Sequence, residues 1–199
     1  MAKGAVFTGE DKEGLRKRMC DACELSWKEK GYKKTNIKEL CTRIGIAIGS
    51  FYSLYPTKED LFCETMDVIQ NRLKDQFFDI LKNDPTKNGF TKALKELYRE
   101  YDRTPFLYEI NTEDFLSLRN KLPNEKLNKL QFDSVEFFKK AIDMANIKLK
   151  VNTELALGTL SALLSSIQSK EPLDKTCNHI KIFDFMLESL MNEMFEGRK

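Results

Sequence analysis

The chain has 199 residues, 41% hydrophobic and 32% charged, which is enough to bury a core and too apolar for a disordered chain. Its 33 Lys+Arg and 31 Asp+Glu leave a net charge of only +2, so composition excludes a global nucleic-acid signature and any basic face must be local. The most apolar stretch, 155–164, is broken by Gly158, Thr159 and Ser161 and falls short of the ~20 residues of a membrane helix. Residues 1–7 carry no apolar signal core, so a soluble, cytoplasmic protein without a membrane partner is expected.

Helical spacing recurs along the chain and strand alternation does not, so the expected class is all-α with about nine helices. Leu15, Met19, Ala22, Cys23 and Trp27 line one side of a helix over 12–30 that stops at Gly31. Two short helices follow within 37–54, and a long one over 58–82 carries Leu61, Met66, Ile69, Leu73, Phe77 and Leu81. Asp84 and Pro85 read as cap and first-turn proline of the next helix, which shows Phe90, Leu94, Leu97 and Tyr101 and ends at Pro105. A shorter pattern runs 106–118, and after Pro123 a helix is expected over 124–147 with Leu127, Leu130, Phe138, Ala141, Ile142 and Ala145.

The last two helices, 153–168 and 176–195, differ from the others. Leu155, Ala156, Leu157, Leu160, Leu163, Leu164 and Ile167 cover more than one stripe of the first. Ile180, Phe183, Leu187, Leu190, Met191 and Met194 line the second, with Ile182, Phe185 and Met186 on neighbouring faces. A helix apolar over so wide an arc needs two partners, either a larger core or its own core plus a second subunit.

The five cysteines, Cys20, Cys23, Cys41, Cys63 and Cys177, are odd in number and scattered, which argues against a disulfide framework. Cys20 and Cys23 form a CxxC, but it lies inside a helical pattern with no second pair at zinc spacing, so both read as small buried thiols. With His179 as the only histidine, no metal site, His-based catalytic triad or cofactor is expected. An enzyme lacks parts as well: no Gly-rich phosphate loop and no nucleophile motif is present.

Residues 31–62 hold the most information. Asn36 and Glu39 fit a capping box, Ile37, Leu40, Cys41 and Ile44 give the helix a buried face, and Gly45 permits a tight turn at positive φ. A second short helix at about 48–54 completes a helix-turn-helix, whose second helix can enter the major groove of DNA. Phe51 is assigned to the core because Ser50 and Tyr52 must point outward. Thr57, Lys58 and Asp60 open the long helix with a second capping box. Residues 1–62 carry 12 Lys/Arg against 9 Asp/Glu. Lys12, Arg16, Lys17, Arg18, Lys33, Lys34, Lys38, Arg43 and Lys58 are available for phosphate contacts.

With these residues the chain resembles the Tet repressor (TetR) family. The resemblance is carried by Gly31-Tyr32, 35–40 (TNIKEL), 45–47 (GIA), 49–52 (GSFY) and 55–61 (YPTKEDL), and covers roughly 10–62 by motif. It implies a homodimeric transcription regulator, usually a repressor: a helix-turn-helix DNA-binding domain over 1–57 and an effector-binding and dimerisation domain over 58–199, connected by helix 58–82. Carried over by position, Ile48, Gly49, Ser50 and Ser53 face bases, Tyr52 and Lys58 grip phosphates, and Asn36 and Lys38 sit at the groove edge. The final helices would form a four-helix dimer interface through Leu160, Leu164, Ile180, Phe183, Leu187 and Met191. The sequence departs from the pattern at Ala47 and Ile48, where a capping Ser or Thr and a polar residue are common.

The resulting expectation is a ligand-responsive repressor, released from a palindromic double-stranded operator by a small hydrophobic or aromatic effector. The middle helices are rich in aromatics, among them Phe77, Phe78, Phe90, Tyr98, Tyr101, Phe132, Phe137 and Phe138. Most of these should be plain core, and Tyr98, Tyr101 and Phe138 are the candidate effector contacts. The rivals are a helical dimeric scaffold that does not read DNA, and a repressor that senses oxidation through an exposed low-pKa thiol.

Overall fold

A computed structural model describes residues 9–108, 112–129 and 133–196. Within them the chain is helical: α1 (Gly9–Lys34), α2 (Ile37–Ile44), α3 (Ile48–Leu54), α4 (Lys58–Asn83), α5 (Lys87–Arg103), α6 (Glu113–Arg119), α7 (Asn124–Lys129), α8 (Ser134–Ala145), α9 (Thr153–Ser165), α10 (Lys170–Asp174) and α11 (His179–Met194). Single 3-10 turns cover Pro105–Leu107 and Ser166–Ser169. The only extended pairing among the described residues is a bridge between Leu149 and Phe195, where Lys150 N–H donates to the Met194 carbonyl at 2.8 Å.

Local chemistry sets most helix ends. Gly31 leaves helical geometry at φ +79°, so α1 is kinked where the pattern stops. Asn36 caps α2 by accepting the Lys38 N–H at 2.8 Å. Gly45 closes α2 in the left-handed region, φ +76°, with its N–H on the Cys41 and Thr42 carbonyls. The capping box of α4 is reciprocal: Asp60 N–H donates to Thr57 Oγ1 at 3.1 Å and Thr57 N–H to Asp60 Oδ2 at 3.0 Å. The first box is only half made, because Glu39 turns to the Lys30 ammonium at 2.6 Å instead of the chain start of its own helix.

Four expectations are corrected. The cap of α5 is Thr86, which accepts the Asn88 and Gly89 N–H groups, while Asp84 takes the Thr86 hydroxyl and stays outside the helix with Pro85. The expected helix over 106–118 is a 3-10 turn and then α6, capped by Thr112 at Phe115 N–H. The expected helix over 124–147 is two helices, since Asp133 caps α8 afresh at Glu136 N–H; Leu130 and Phe132 lie outside the described residues. Finally, the helix expected over 153–168 ends at Ser165 and passes through the 3-10 turn into α10. These extra pieces account for the excess over the expected helix number.

By contacts the chain forms two units, Met1–Gln70 with Glu109–Gln131, and Asn71–Tyr108 with Phe132–Lys199; the division falls inside α4. In the first, Met19, Cys23, Trp27, Tyr32, Leu40, Phe51, Leu61 and Phe62 are buried. Trp27 and Tyr32 pack their rings on Phe62 with centroids 4.6 and 5.0 Å away. The second has a core of Phe77, Leu81, Phe90, Leu94, Tyr98, Phe138, Ala141, Ala156, Leu160, Ile167, Phe183, Leu187 and Met191. Helix α11 packs there on both α5 and α9. No helix of the described residues is long and apolar enough to cross a membrane.

Candidate nucleic-acid interface

Helices α2 and α3, joined by the Gly45 turn, build the helix-turn-helix. Phe51 and Leu54 anchor one face of α3 in the core, and this turns the remaining face outward. Ile48 and Tyr52 are therefore 44% and 57% exposed, one helical turn apart. Gly49 and Ser53 are exposed on the same surface and Ser50 is half-buried. The Ser53 hydroxyl donates to the Ser50 carbonyl at 2.7 Å, so it is satisfied within α3. Lys38 is exposed on α2, and Asn36 is exposed beside it while serving as the cap. The assignment of Phe51 to the core agrees with its complete burial.

Lys58 departs from the sequence reading. Its ammonium donates to the Tyr32 carbonyl at 2.5 Å and lies over the Tyr32 ring at 4.4 Å. It is half-buried, and that burial lowers its pKa. In this conformation Lys58 ties the start of α4 to the end of α1 and is not presented outward as a phosphate grip. Arg16 is likewise turned inward, donating to Glu64 and to the Leu54 carbonyl and covering the Tyr55 ring. Lys33 pairs with Glu113 at 2.9 Å. Lys12, Lys17, Arg18, Lys34, Lys38 and Arg43 keep exposed positions.

Residues far along the chain complete this unit. The Asp114 carboxylate accepts the Tyr32 and Lys33 N–H groups, Lys121 lies 3.7 Å from Glu59, and Lys126 pairs with Asp60. The Tyr32 hydroxyl donates to Glu59. For Asp60, burial opposes ionisation, but Lys126 and Thr57 outweigh it and hold the carboxyl below its ordinary value. Sequence reading found none of these partners, because a separation of 66 residues between Asp60 and Lys126 leaves no local signal.

The other candidate residues sort differently. Tyr98 is fully buried and stacked on Phe183, centroids 3.7 Å apart, with its hydroxyl 3.4 Å from Ser166 Oγ. Phe138 is also core, whereas Tyr101 is half-buried at its edge. Of the proposed dimer residues, Leu160, Phe183, Leu187 and Met191 are consumed by the chain's own core, and Leu164 and Ile180 are half-buried. The exposed apolar side chains of α9 and α11 are Leu155, Phe185 and Met186, at 55%, 74% and 43%. The apolar surface that these helices leave uncovered is therefore that neighbouring stripe. The wide apolar arc was the available sign, but periodicity could not say which stripe faced inward.

Cys20 and Cys23 are buried on the inner side of α1, with Cys20 Sγ 3.7 Å from the Tyr55 hydroxyl. Burial pushes the Cys23 thiol up to about 12 and the Cys63 thiol up to about 11. His179 is the first residue of α11, buried, with Nδ1 2.9 Å from the Asp174 carboxylate. Among the described residues no group of three or more His, Cys, Asp or Glu is placed to hold a metal ion.

This geometry is that of a helix-turn-helix at the start of an all-α chain. Residues 21–65 match the model of the bacterial regulatory proteins of the tetR family. That match covers the helix-turn-helix and the start of α4, and the described residues have an all-α, TetR-like fold. No curated protein matches the chain by sequence. A TetR transcription regulator from Haloarcula marismortui ATCC 43049 superposes with a TM-score of 0.68 at 14% identity, covering 92% of this chain and 100% of that one. The regulator FadR from Bacillus subtilis, in complex with stearoyl-CoA, has a TM-score of 0.61 at 17% identity, covering 88% and 97%. A transcriptional regulator from Saccharomonospora viridis, in complex with choline, has a TM-score of 0.66 at 13% identity, covering 93% and 100%.

Proposed function

We propose that the protein is a homodimeric repressor that binds a palindromic operator and releases it when a small hydrophobic or aromatic effector binds. One observation carries the reading. The α3 surface of Ile48, Gly49, Tyr52 and Ser53 is exposed on a helix-turn-helix whose other side is locked into the core. Asn36, Lys38 and Ser50 flank it, and Lys58 serves as a positioning contact for α4 unless DNA draws its ammonium outward. Residues 1–57 carry the reading head, which the start of α4 and the α6 and α7 segment complete, and the remainder of 58–199 is the sensing and pairing part. Two heads one helical turn apart, roughly 34–36 Å, match a palindrome.

Pairing through α9 and α11 would bury Leu155, Phe185 and Met186, whose exposure in a single chain is costly. A hydrophobic effector suits the aromatic character of the second unit, where Phe77, Phe78 and Phe137 cluster with centroids 4.9 to 5.9 Å apart. The ligands named for the fold relatives, stearoyl-CoA and choline, support an effector-binding unit without naming this one. Release requires that the effector prefer the non-DNA state, with a coupling of ~1–3 kcal/mol.

Selection of the purified protein against randomised duplexes at near-physiological salt tests the reading. An enriched palindrome with fixed half-site spacing is expected, and Tyr52→Ala should weaken its binding without loss of helix. Salt-sensitive binding with no enriched sequence would move the assignment to a helical scaffold. The thiol-sensing variant has less support, because burial raises the pKa of Cys20, Cys23, Cys41 and Cys63.

A further inference from the structure

The outward face of α3 is poor in groups that can hydrogen-bond a base edge. Its largest exposed groups are the Ile48 side chain and the Tyr52 ring. Between Ile48 and Leu54 there is no Arg, Lys, Asn, Gln, Asp or Glu, the long or bidentate side chains that pair with base edges in the major groove, and only Ser50 and Ser53 carry short hydroxyls. Ser53 already donates to a carbonyl of its own helix. The one apolar group that a major groove offers is the C5-methyl of thymine.

Gly49 supplies an independent observation. Glycine disfavours a helix relative to alanine, so it needs a reason. Here the chain offers none: a Cβ at Gly49 would meet nothing within 4 Å, and no positive φ calls for glycine. Gly31 and Gly89, by contrast, are each held against a neighbouring group; Gly14 in α1 and Gly158 in α9 are as open as Gly49, but Gly49 alone of the three lies on the outward face of the second helix of the helix-turn-helix. A bare helix position next to an exposed isoleucine leaves room for an outside surface to reach the backbone itself.

We propose that Ile48 is a specificity-determining residue that packs on a thymine methyl in each operator half-site, with Gly49 letting the groove edge close against α3. The assignment rests on the operator-reading function proposed above. It makes the protein discriminate thymine from cytosine by shape and apolar contact at that position.

The test uses the full-length protein and the duplex that it selects. Each thymine is replaced in turn by deoxyuridine, which removes only the methyl, and Kd is measured at fixed salt. One position per half-site should weaken binding by about fourfold, the value of one buried methyl group. Ile48→Ala, at an exposed site, should keep the helical circular dichroism and bind thymine and deoxyuridine duplexes equally. Gly49→Ala should weaken both duplexes alike with an unchanged or higher Tm. Equal Kd for every deoxyuridine duplex overturns this inference while leaving the operator reader standing. Thymine preference that survives in Ile48→Ala overturns it too. Failure to select any duplex removes the reader and this inference together.

Discussion

Asp114 Oδ2 accepts the backbone N–H of Tyr32 at 2.5 Å, and Oδ1 accepts that of Lys33 at 2.9 Å. One carboxylate at the start of α6 thus satisfies two amides exposed where Gly31 breaks α1. Loss of the charged acceptor should cost about 1–2 kcal/mol. Asp114→Ala should lower the denaturation midpoint and speed hydrogen exchange at Tyr32 and Lys33. Unchanged exchange at both would dismiss the contact as a surface accident.

The glycines should divide into two classes. A Cβ at Gly31 would lie 2.8 Å from Asp114 Oδ2 in a left-handed backbone, and one at Gly89 only 1.9 Å from the Asp84 carbonyl. Gly31→Ala and Gly89→Ala should each destabilise by more than about 1 kcal/mol, whereas Gly49→Ala should be neutral or stabilising. Urea midpoints of the three variants measured side by side decide this.

Tyr98 should behave as core. Tyr98→Ala removes a buried ring stacked on Phe183 and should cost about 3–5 kcal/mol. Tyr98→Phe sacrifices only a 3.4 Å contact with Ser166 and should cost about 1 kcal/mol or less. A Tyr98→Phe variant of normal stability that no longer responds to a known effector would return the hydroxyl to the binding role.

Charge placed on the two faces of α11 should give opposite phenotypes. Phe185→Asp, at a residue 74% exposed, should leave helix content intact and lower the oligomeric state seen by sedimentation. Leu187→Asp places a charge at a position with no exposure and should unfold the second unit. Dissociation without unfolding in Leu187→Asp would reverse the assignment of the faces.

Stability should fall in alkali. The Cys23 and Cys63 thiols hold their protons in the folded chain to about 12 and about 11, above the ordinary value of 9.0. Between those limits the unfolded chain has released protons that the folded chain still binds, so unfolding becomes easier as pH rises. Tm should decline from about pH 9 upward, and less steeply in Cys63→Ala. At pH 8 a disulfide reagent should modify exposed Cys177 first. Rapid modification of Cys23 would reopen thiol sensing.

The helix starts at Asn36 and Thr57, the left-handed turn at Gly45 and the inward Phe51 were all legible in the sequence, and so was the TetR-type frame that they compose. Each rests on interactions within four or five residues, where residue type alone restricts the geometry. The tertiary structure alone decided that Phe183, Leu187 and Met191 face inward while Phe185 and Met186 remain outside. It also decided that Lys58 reaches Tyr32, that Glu39 reaches Lys30, and that Asp114 closes the break at Gly31. A helix apolar on two stripes has two near-equal ways to face a core, and a long charged side chain has many rotamers of similar energy. Only neighbours brought close by packing of distant segments choose among them.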